Sequence, residues 1–363
     1  MTQTAIPFLF MRGGTSRGPY LNRADLPADR AALAEVLVAM VGSGHPLNID
    51  GIGGGDAVTT KVAMLSRSDD DWADIDYFFA QVSVETRLVD FKPTCGNILV
   101  GVGPAAIEMG LIRPGRGVTE VRIRAVNTGA RVLARVRTTE SGEVIYGGET
   151  AIDGVPGTAA PVDLQFMDVV GGATGAMFPT GSRVDEIDGI AVSCMDVAMP
   201  VVIARADAFG LTGHETAAEL DGNRAFFDRM EPIRRAAGEK MGLGDVSDSV
   251  TPKFALLAPA RNGGTASTRY FMPWKCHPSL AVTGAQCLGA CLLCPGTVAE
   301  GSVDDLPASP ARLLLEHPMG KLEVVVDFSR DGDVFELNSA GLVRTARKLA
   351  GGTVFVPRSA WEG

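Results

Sequence analysis

The chain has 363 residues, of which 46% are hydrophobic, 6% aromatic and 21% charged, and 44 of them are glycine. Glycine at about 12% of 363 residues exceeds the usual ~7%; without a G-X-Y period this is not collagen, and the apolar content excludes a disordered chain. A net charge of −10, from 33 Lys+Arg against 43 Asp+Glu, argues against a general nucleic-acid binder but leaves room for a small anion in a locally cationic cleft.

In chain order, residues 5–10 predict a strand that runs into a glycine turn, Met11-Arg-Gly-Gly-Thr-Ser-Arg-Gly18. Residues 28–41 have the apolar spacing and the Ala/Leu/Glu content of a helix. A second glycine loop, Asp50 to Asp56, leads through Thr59, Thr60 and Lys61 into an apolar strand, and residues 77–91 alternate like strands. Cys95-Gly-Asn97 opens a small-residue stretch, 98–112, that reads as a buried helix. Residues 119–137 and 143–147 suggest a β-meander, 190–205 a strand pair around Asp196, and 215–241 helix. Further strands are expected at 254–260, 268–273 and in two segments before Gly341. His277-Pro-Ser279 opens a second small-residue helix over 280–293.

The two small-residue helices echo each other half a chain apart. Each follows a strand, starts from a polar residue and is rich in Gly and Ala. Glycine costs ~1 kcal/mol inside a helix, so its use implies close packing on every side. This predicts two similar domains, 1–185 and 186–363, each with a helix buried inside a sheet, and a final strand that can pack back on the first domain. Two unrelated buried helices are the plainer alternative. No apolar run approaches the ~18 residues of a membrane helix, and the start lacks a basic, then apolar, export signal. Six cysteines without such a signal predict reduced thiols and a cytoplasmic location, with no membrane partner.

Several residues could carry chemistry. Gly13, Gly14, Thr15 and Ser16 form a turn with exposed N–H groups and hydroxyls flanked by Arg12 and Arg17, which suits a carboxylate; an ordinary tight turn is the bland reading. Lys61 beside an apolar strand could be a general base, or simply a surface lysine. Cys95, Gly96 and Asn97 at a helix N-terminus could combine an acid/base thiol with N–H donors, or pack as small core residues. His277, Pro278 and Ser279 take the matching place in the second half, with Pro278 suited to a first helical turn. Cys287, Cys291 and Cys294 have the spacing of an iron–sulfur site but lie within a Leu/Ala/Gly helix, where buried packing explains them better. No metal site is expected, because the four histidines are scattered.

Taken together, an ordered set becomes specific: the Met11–Gly18 turn, Asp50-Gly-Ile-Gly-Gly54, Thr60-Lys-Val-Ala63, Cys95-Gly-Asn-Ile98, Asn127-Thr-Gly129, Asp153-Gly-Val-Pro-Gly-Thr158, Pro179-Thr-Gly181, Leu243-Gly-Asp-Val246, Pro252-Lys253 and Leu342-Val-Arg-Thr-Ala-Arg347. From residue 5 to about 356 the chain resembles the PrpF-like isomerases. The resemblance implies an α+β fold like diaminopimelate epimerase: two pseudo-symmetric domains, each a mixed sheet around a central helix, with the site between them. It implies a proton shift, keto–enol or 1,3-allylic, in a small unsaturated tricarboxylic acid, with no cofactor and a homodimeric assembly. The first substrate expected is 4-oxalomesaconate; methylaconitate, methylitaconate or aconitate is the alternative, and a non-catalytic carboxylate binder a remoter one. Lys61 matches the family's acid/base lysine and Cys95 its site cysteine. The Gly13–Ser16 loop, Asn97 and Ser279 match carboxylate contacts, with Thr59 and Thr60 beside the lysine. Arg17 stands where the family usually has Lys, Pro93-Thr precedes Cys95 where Gln-Asn is usual, and Trp274-Lys275 replaces a usual His-Arg; these departures bear on the substrate.

Overall fold

The computed structural model describes residues 2–303 and 307–363. The first part of the chain contains β1 (Gln3–Gly13), β2 (Ser16–Asn22), α1 (Arg30–Val41), β3 (Lys61–Arg67), β4 (Ile75–Val82), β5 (Val89–Asp90), α2 (Gly96–Leu99), α3 (Val102–Glu108), β6 (Val118–Ala125), β7 (Arg131–Arg137) and β8 (Pro161–Phe166). There follow β9 (Asp185–Ile187), β10 (Ile190–Asp196), β11 (Pro200–Arg205), α4 (Ala217–Asp221), α5 (Arg224–Lys240), β12 (Lys253–Ala258), β13 (Ala266–Phe271), α6 (Val282–Leu293), β14 (Ala311–His317), β15 (Gly320–Asp331) and β16 (Val334–Pro357).

The chain forms two compact units. One runs to Leu164 and is completed by Val343–Gly363; the other is Gln165–Leu342. The sequence had placed this junction at 185/186, about twenty residues later. Part of the reason is that the segment after Leu164 is tied forward: the side chain of Asp196 accepts hydrogen bonds from the backbone N–H groups of Ala173 and Thr174 at 2.9 and 2.8 Å. β16 belongs to both units, pairing with β15 through residues 334–342 and with β1 through residues 346–357.

Each unit repeats one pattern of pairings. In the first, β1–β2 is antiparallel, β2–β3 parallel, β3–β4 antiparallel, β4–β6 parallel and β6–β7 antiparallel. In the second, β10–β11, β11–β12, β12–β13, β13–β14 and β14–β15 follow the same alternation. A parallel pair needs a crossover, and a helix usually supplies it. The first crossover is α1 in one unit and α4 with α5 in the other; the second is α2 with α3, and α6. The internal echo in the sequence is therefore a repeat of topology, and the fold is the expected α+β architecture.

The second crossover helix is the one the strands surround. α2 touches β1, β2 and β3, and α3 touches β3, β6 and β7; α6 touches β10, β11 and β15. Ala285, Leu288 and Leu292 of α6 share a core with Val201, Ile203, Ala255, Leu313 and Val324. Each buried aliphatic side chain there contributes ~1.5–3 kcal/mol. Glycine makes the enclosure possible. A Cβ on Gly101 would sit 2.3 Å from the Tyr20 hydroxyl, one on Gly284 2.4 Å from the Tyr270 ring, and one on Gly103 2.8 Å from Val136. Cys287, Cys291 and Cys294 are buried beside this packing, and burial pushes all three thiols up, Cys291 to about 12. They behave as small core side chains.

Several expectations shift in detail. The 11–18 turn is shorter than expected: Met11 pairs with Gly18 and Gly13 with Ser16, so only Gly14 and Thr15 turn the chain, with Gly14 at φ +52°. The 98–112 helix is split around Val100–Gly101 and ends at Glu108. Residues 143–147 add only an isolated bridge, Thr138 to Val144. α6 begins at Val282, so Pro278 is not in a first helical turn. Residues 276–279 are held otherwise, by a Phe271–Cys276 bridge and by donation from His277 N to Tyr270 O at 2.7 Å. The short strands β8 and β9 were not anticipated.

Gly284→Ala is expected to lower unfolding stability by about 1–3 kcal/mol, the cost of overpacking. Gly222→Ala, where the nearest atom to a new Cβ is 3.5 Å away, should stay within ~0.5 kcal/mol. Denaturant midpoints of the two variants check this.

Candidate active site

In the first unit the β1–β2 turn lies flat on the start of α2. A Cβ on Gly13 would fall 2.3 Å from the Asn97 carbonyl oxygen, and one on Gly14 2.1 Å from Asn97 Oδ1. Only glycine permits that approach. Asn97 Nδ2 donates to Thr15 Oγ1 at 3.0 Å, closing the contact. Arg12 braces the same turn: its Nη1 donates to Gly14 O and Thr345 O, both at 2.8 Å. One guanidinium nitrogen of Arg12 is thus engaged by backbone rather than offered to a ligand. Burial, then Arg347, lowers the pKa of this guanidinium. Arg17 is exposed, with its guanidinium over the Phe10 ring at 5.8 Å and against the second glycine loop, where a Cβ on Gly54 would meet Arg17 Nη2 at 2.8 Å.

Ser16 is 3% exposed, and its hydroxyl finds no hydrogen-bond partner in the protein. A buried hydroxyl left unpaired costs ~1–3 kcal/mol, so such groups usually have a purpose.

Lys61 begins β3 and is half-buried. Its Nζ donates to Gln81 Oε1 at 2.6 Å and lies 5.5 Å from the centre of the Phe79 ring. Its backbone is equally confined, since a Cβ on Gly18 would lie 1.8 Å from Lys61 O. The two threonines before it serve the loop. Thr59 Oγ1 donates to Asp56 O at 2.8 Å, and the buried Thr60 Oγ1 donates to Val82 O at 2.7 Å.

Cys95 is extended, at φ −133° and ψ 109°, and precedes α2 as its N-cap. Unlike the other cysteines it is half-buried, and a Cβ on its neighbour Gly96 would meet nothing within 4 Å. This end of the helix is open on one side. Two fully buried phenols fix it from beneath: Tyr77 donates to Cys95 O at 3.3 Å and Tyr20 to Ile98 O at 2.5 Å. Burial first, and Cys95 second, pushes both phenols well above their ordinary range, so they stay neutral donors.

In the first unit Gly13, Gly14 and Thr15 thus lie against Asn97 beside Cys95, the Lys61 backbone lies against Gly18 of the same hairpin, and Arg17 and Thr59 meet at the second glycine loop. Gln81, Tyr20 and Tyr77 were not foreseen as site residues. For Tyr77 and Gln81 the signal was present in β4: Tyr77, Phe79 and Gln81 alternate onto one face, and a glutamine in that apolar series is out of place.

In the second unit, His277 Nδ1 accepts from Ser279 N at 3.0 Å. The Ser279 N–H is therefore used locally, and its hydroxyl is what remains to offer, at 3.4 Å from His317 Nε2. Pro278 is exposed beside them. Burial, aided by Lys253, pushes His277 below its ordinary 6.5.

A mixed sheet around a small-residue helix, repeated in both units, is the architecture expected of the PrpF-like isomerases. The chain belongs to the PrpF protein family, whose model matches residues 3–357. It is 46% identical to 4-oxalomesaconate tautomerase of Pseudomonas putida (strain KT2440) over 363 residues, covering 100% of this chain and 99% of that protein. YbhH of Escherichia coli (strain K12), whose name marks it as a candidate isomerase and gives no substrate, is 48% identical over 97% of this chain and 99% of its own length. The crystal structure of methylitaconate-delta-isomerase is 33% identical, with a TM-score of 0.90 over 99% of this chain and 97% of that one.

His277 should titrate below 6.5 when followed by NMR in the intact protein. A depressed folded-state pKa means that the unfolded chain binds more protons, so its contribution to stability is complete above the unfolded value and declines as pH falls below it. His277→Gln should flatten stability against pH in that window.

Proposed function

We propose that the protein is a 4-oxalomesaconate tautomerase. Its substrate is a small unsaturated tricarboxylic acid, and the reaction is a proton shift within it. The observation that carries the reading is in the first unit: a confined Lys61 whose backbone packs against Gly18 of β2 and, two residues before that glycine, a buried Ser16 hydroxyl with no partner in the protein. A substrate carboxylate would accept from that hydroxyl, with the exposed Arg17 supplying positive charge. The substrate itself is supported by the 46% identity to the P. putida tautomerase over the whole chain, against 33% for the methylitaconate enzyme.

The chemistry follows from these groups. A base, Lys61 first and Cys95 second, takes a proton from carbon between a carbonyl and a C=C bond. The electron pair passes into a dienolate. Proton return to oxygen gives the enol, and return to the distant carbon gives the allylic isomer; atoms and charge balance with no further reactant. The dienolate carries charge onto oxygen, where the donors around Gly96 and Asn97 would stabilise it. Thr15 and Asn97 hold each other, so they shape the floor on which Gly13 and Gly14 lie. Thr59 and Thr60 keep the loop that brings Lys61 into place. His277, Pro278 and Ser279 are assigned to substrate as well, with the Ser279 hydroxyl as the donor. Methylaconitate, methylitaconate and aconitate remain the substrates to test against.

A homodimer is part of this reading, supported by the exposed apolar side chains of Leu47, Ile49 and Leu88. Six free thiols suit a reducing cytoplasm.

Lys61→Ala should abolish turnover of 4-oxalomesaconate, followed by ultraviolet absorbance, while circular dichroism stays unchanged. Cys95→Ser should retain reduced turnover, and Ser16→Ala should raise KM with stability unchanged or improved. A folded Lys61→Ala enzyme with full activity would remove Lys61 from the reaction; preference for aconitate or methylaconitate across the panel would remove the substrate.

A further inference from the structure

We propose that Gln81 is a positioning residue for the proton transfer: an amide locked with its oxygen toward Lys61, which holds the lysine head group and turns its lone pair away from Gln81. The proposal rests on Lys61 as the proton-transfer group.

Lys61 and Gln81 are direct partners in the β3–β4 register, so their side chains rise from adjacent points on one face. Nζ and Oε1 meet at 2.6 Å. A glutamine side chain could ordinarily turn over and present its NH2 group instead. Here its surroundings forbid that. Gln81 Nε2 faces Ala57 O at 3.1 Å, Val82 O at 3.2 Å, Thr60 Oγ1 at 3.2 Å and Thr60 O at 3.4 Å. The carbonyls can only accept. The Thr60 hydroxyl has already given its hydrogen to Val82 O at 2.7 Å, so it too turns a lone pair toward Gln81. A reversed amide would set oxygen against these oxygens and its NH2 against the lysine.

Oε1 is therefore an obligatory acceptor, and Nζ must direct one N–H bond at it. In the neutral amine the lone pair then takes one of the two remaining tetrahedral positions, both turned away from Gln81 Oε1. The Phe79 ring, 5.5 Å from Nζ, bounds the head group further. Without these contacts a lysine swings on a flexible four-carbon stem. Ala57 lies on the loop that precedes Lys61, so the same amide also ties loop position to lysine orientation.

A residue acting only through orientation should lower kcat and spare KM, because misplacement by about 1 Å can cost ~10²-fold in rate. The test uses the full chain with the substrate that the panel identifies, comparing Gln81→Ala, Gln81→Glu and Lys61→Ala. Gln81→Ala should lose about 10- to 100-fold in kcat, with KM within about twofold of the parent. Gln81→Glu keeps an acceptor for Nζ but sets its second oxygen against the Ala57, Val82 and Thr60 oxygens, and adds a negative charge beside Nζ, which favours the ammonium; in the folded variant the limb of the pH–rate profile that needs a neutral lysine should move to higher pH. A merely structural clamp would leave kcat of folded Gln81→Ala at the parental value; the shifted limb shows that Lys61 is the group that titrates. Folded Gln81→Ala with parental kcat, or folded Gln81→Glu with a superimposable profile, overturns the proposal; if Gln81→Ala does not fold, Gln81→Met, which keeps the side-chain length without the amide, takes its place in the kcat comparison. An inactive Lys61→Ala beside a fully active Gln81→Ala sinks this proposal alone, whereas a fully active Lys61→Ala sinks both.

Discussion

The close approach of a tyrosine to a glycine in each enclosed helix is the contact on which the rest depends. At Gly101 the Tyr20 hydroxyl occupies the place of a side chain, and at Gly284 the Tyr270 ring does so. These approaches let a helix of small residues sit inside a mixed sheet. In the first unit the consequence reaches the chemistry. The helix breaks around Gly101, Tyr20 fastens the Ile98 carbonyl, Tyr77 fastens that of Cys95, and the short first piece begins after Cys95 with an open side at Gly96. Packing that stabilises the core thus also fixes where Cys95 and Asn97 stand.

The same economy governs charge. A protein with a net charge of −10 has to hold an anionic substrate through local groups. Arg12 looks like the obvious one, but its Nη1 is bonded to two carbonyls and stiffens the turn. In the proposed reading Arg17 and Lys61 add positive charge for the ligand, beside the charge Arg12 keeps, and uncharged donors carry the rest. Preorganised donors of this kind need little rearrangement as negative charge develops on an enolate.

Much of the fold was legible because helix and strand periods are written in apolar spacing. Residues 28–41, 190–205 and 280–293 formed close to their expected limits, and the echo between the two glycine-rich helices corresponds to a repeated topology. What stayed hidden depended on partners distant in sequence. The break in the 98–112 helix falls at Gly101, where the Tyr20 hydroxyl packs, and α6 starts late, after Cys276 and His277 have bonded to β13. The site was legible as residue types: Lys61, Cys95 and the Gly13–Ser16 turn. Gln81 was not, because its meaning comes from the β3–β4 register, which places its amide against a lysine twenty residues away.

The central claim is that this chain moves a proton within a small tricarboxylate through Lys61. The direct measurement is deuterium uptake from D2O into 4-oxalomesaconate, read by NMR or mass spectrometry. The account predicts uptake at the carbon next to the keto group with the parent enzyme, above the uncatalysed rate, and only the uncatalysed rate with folded Lys61→Ala. Equal uptake by both proteins, or none above background with the parent enzyme, would contradict it.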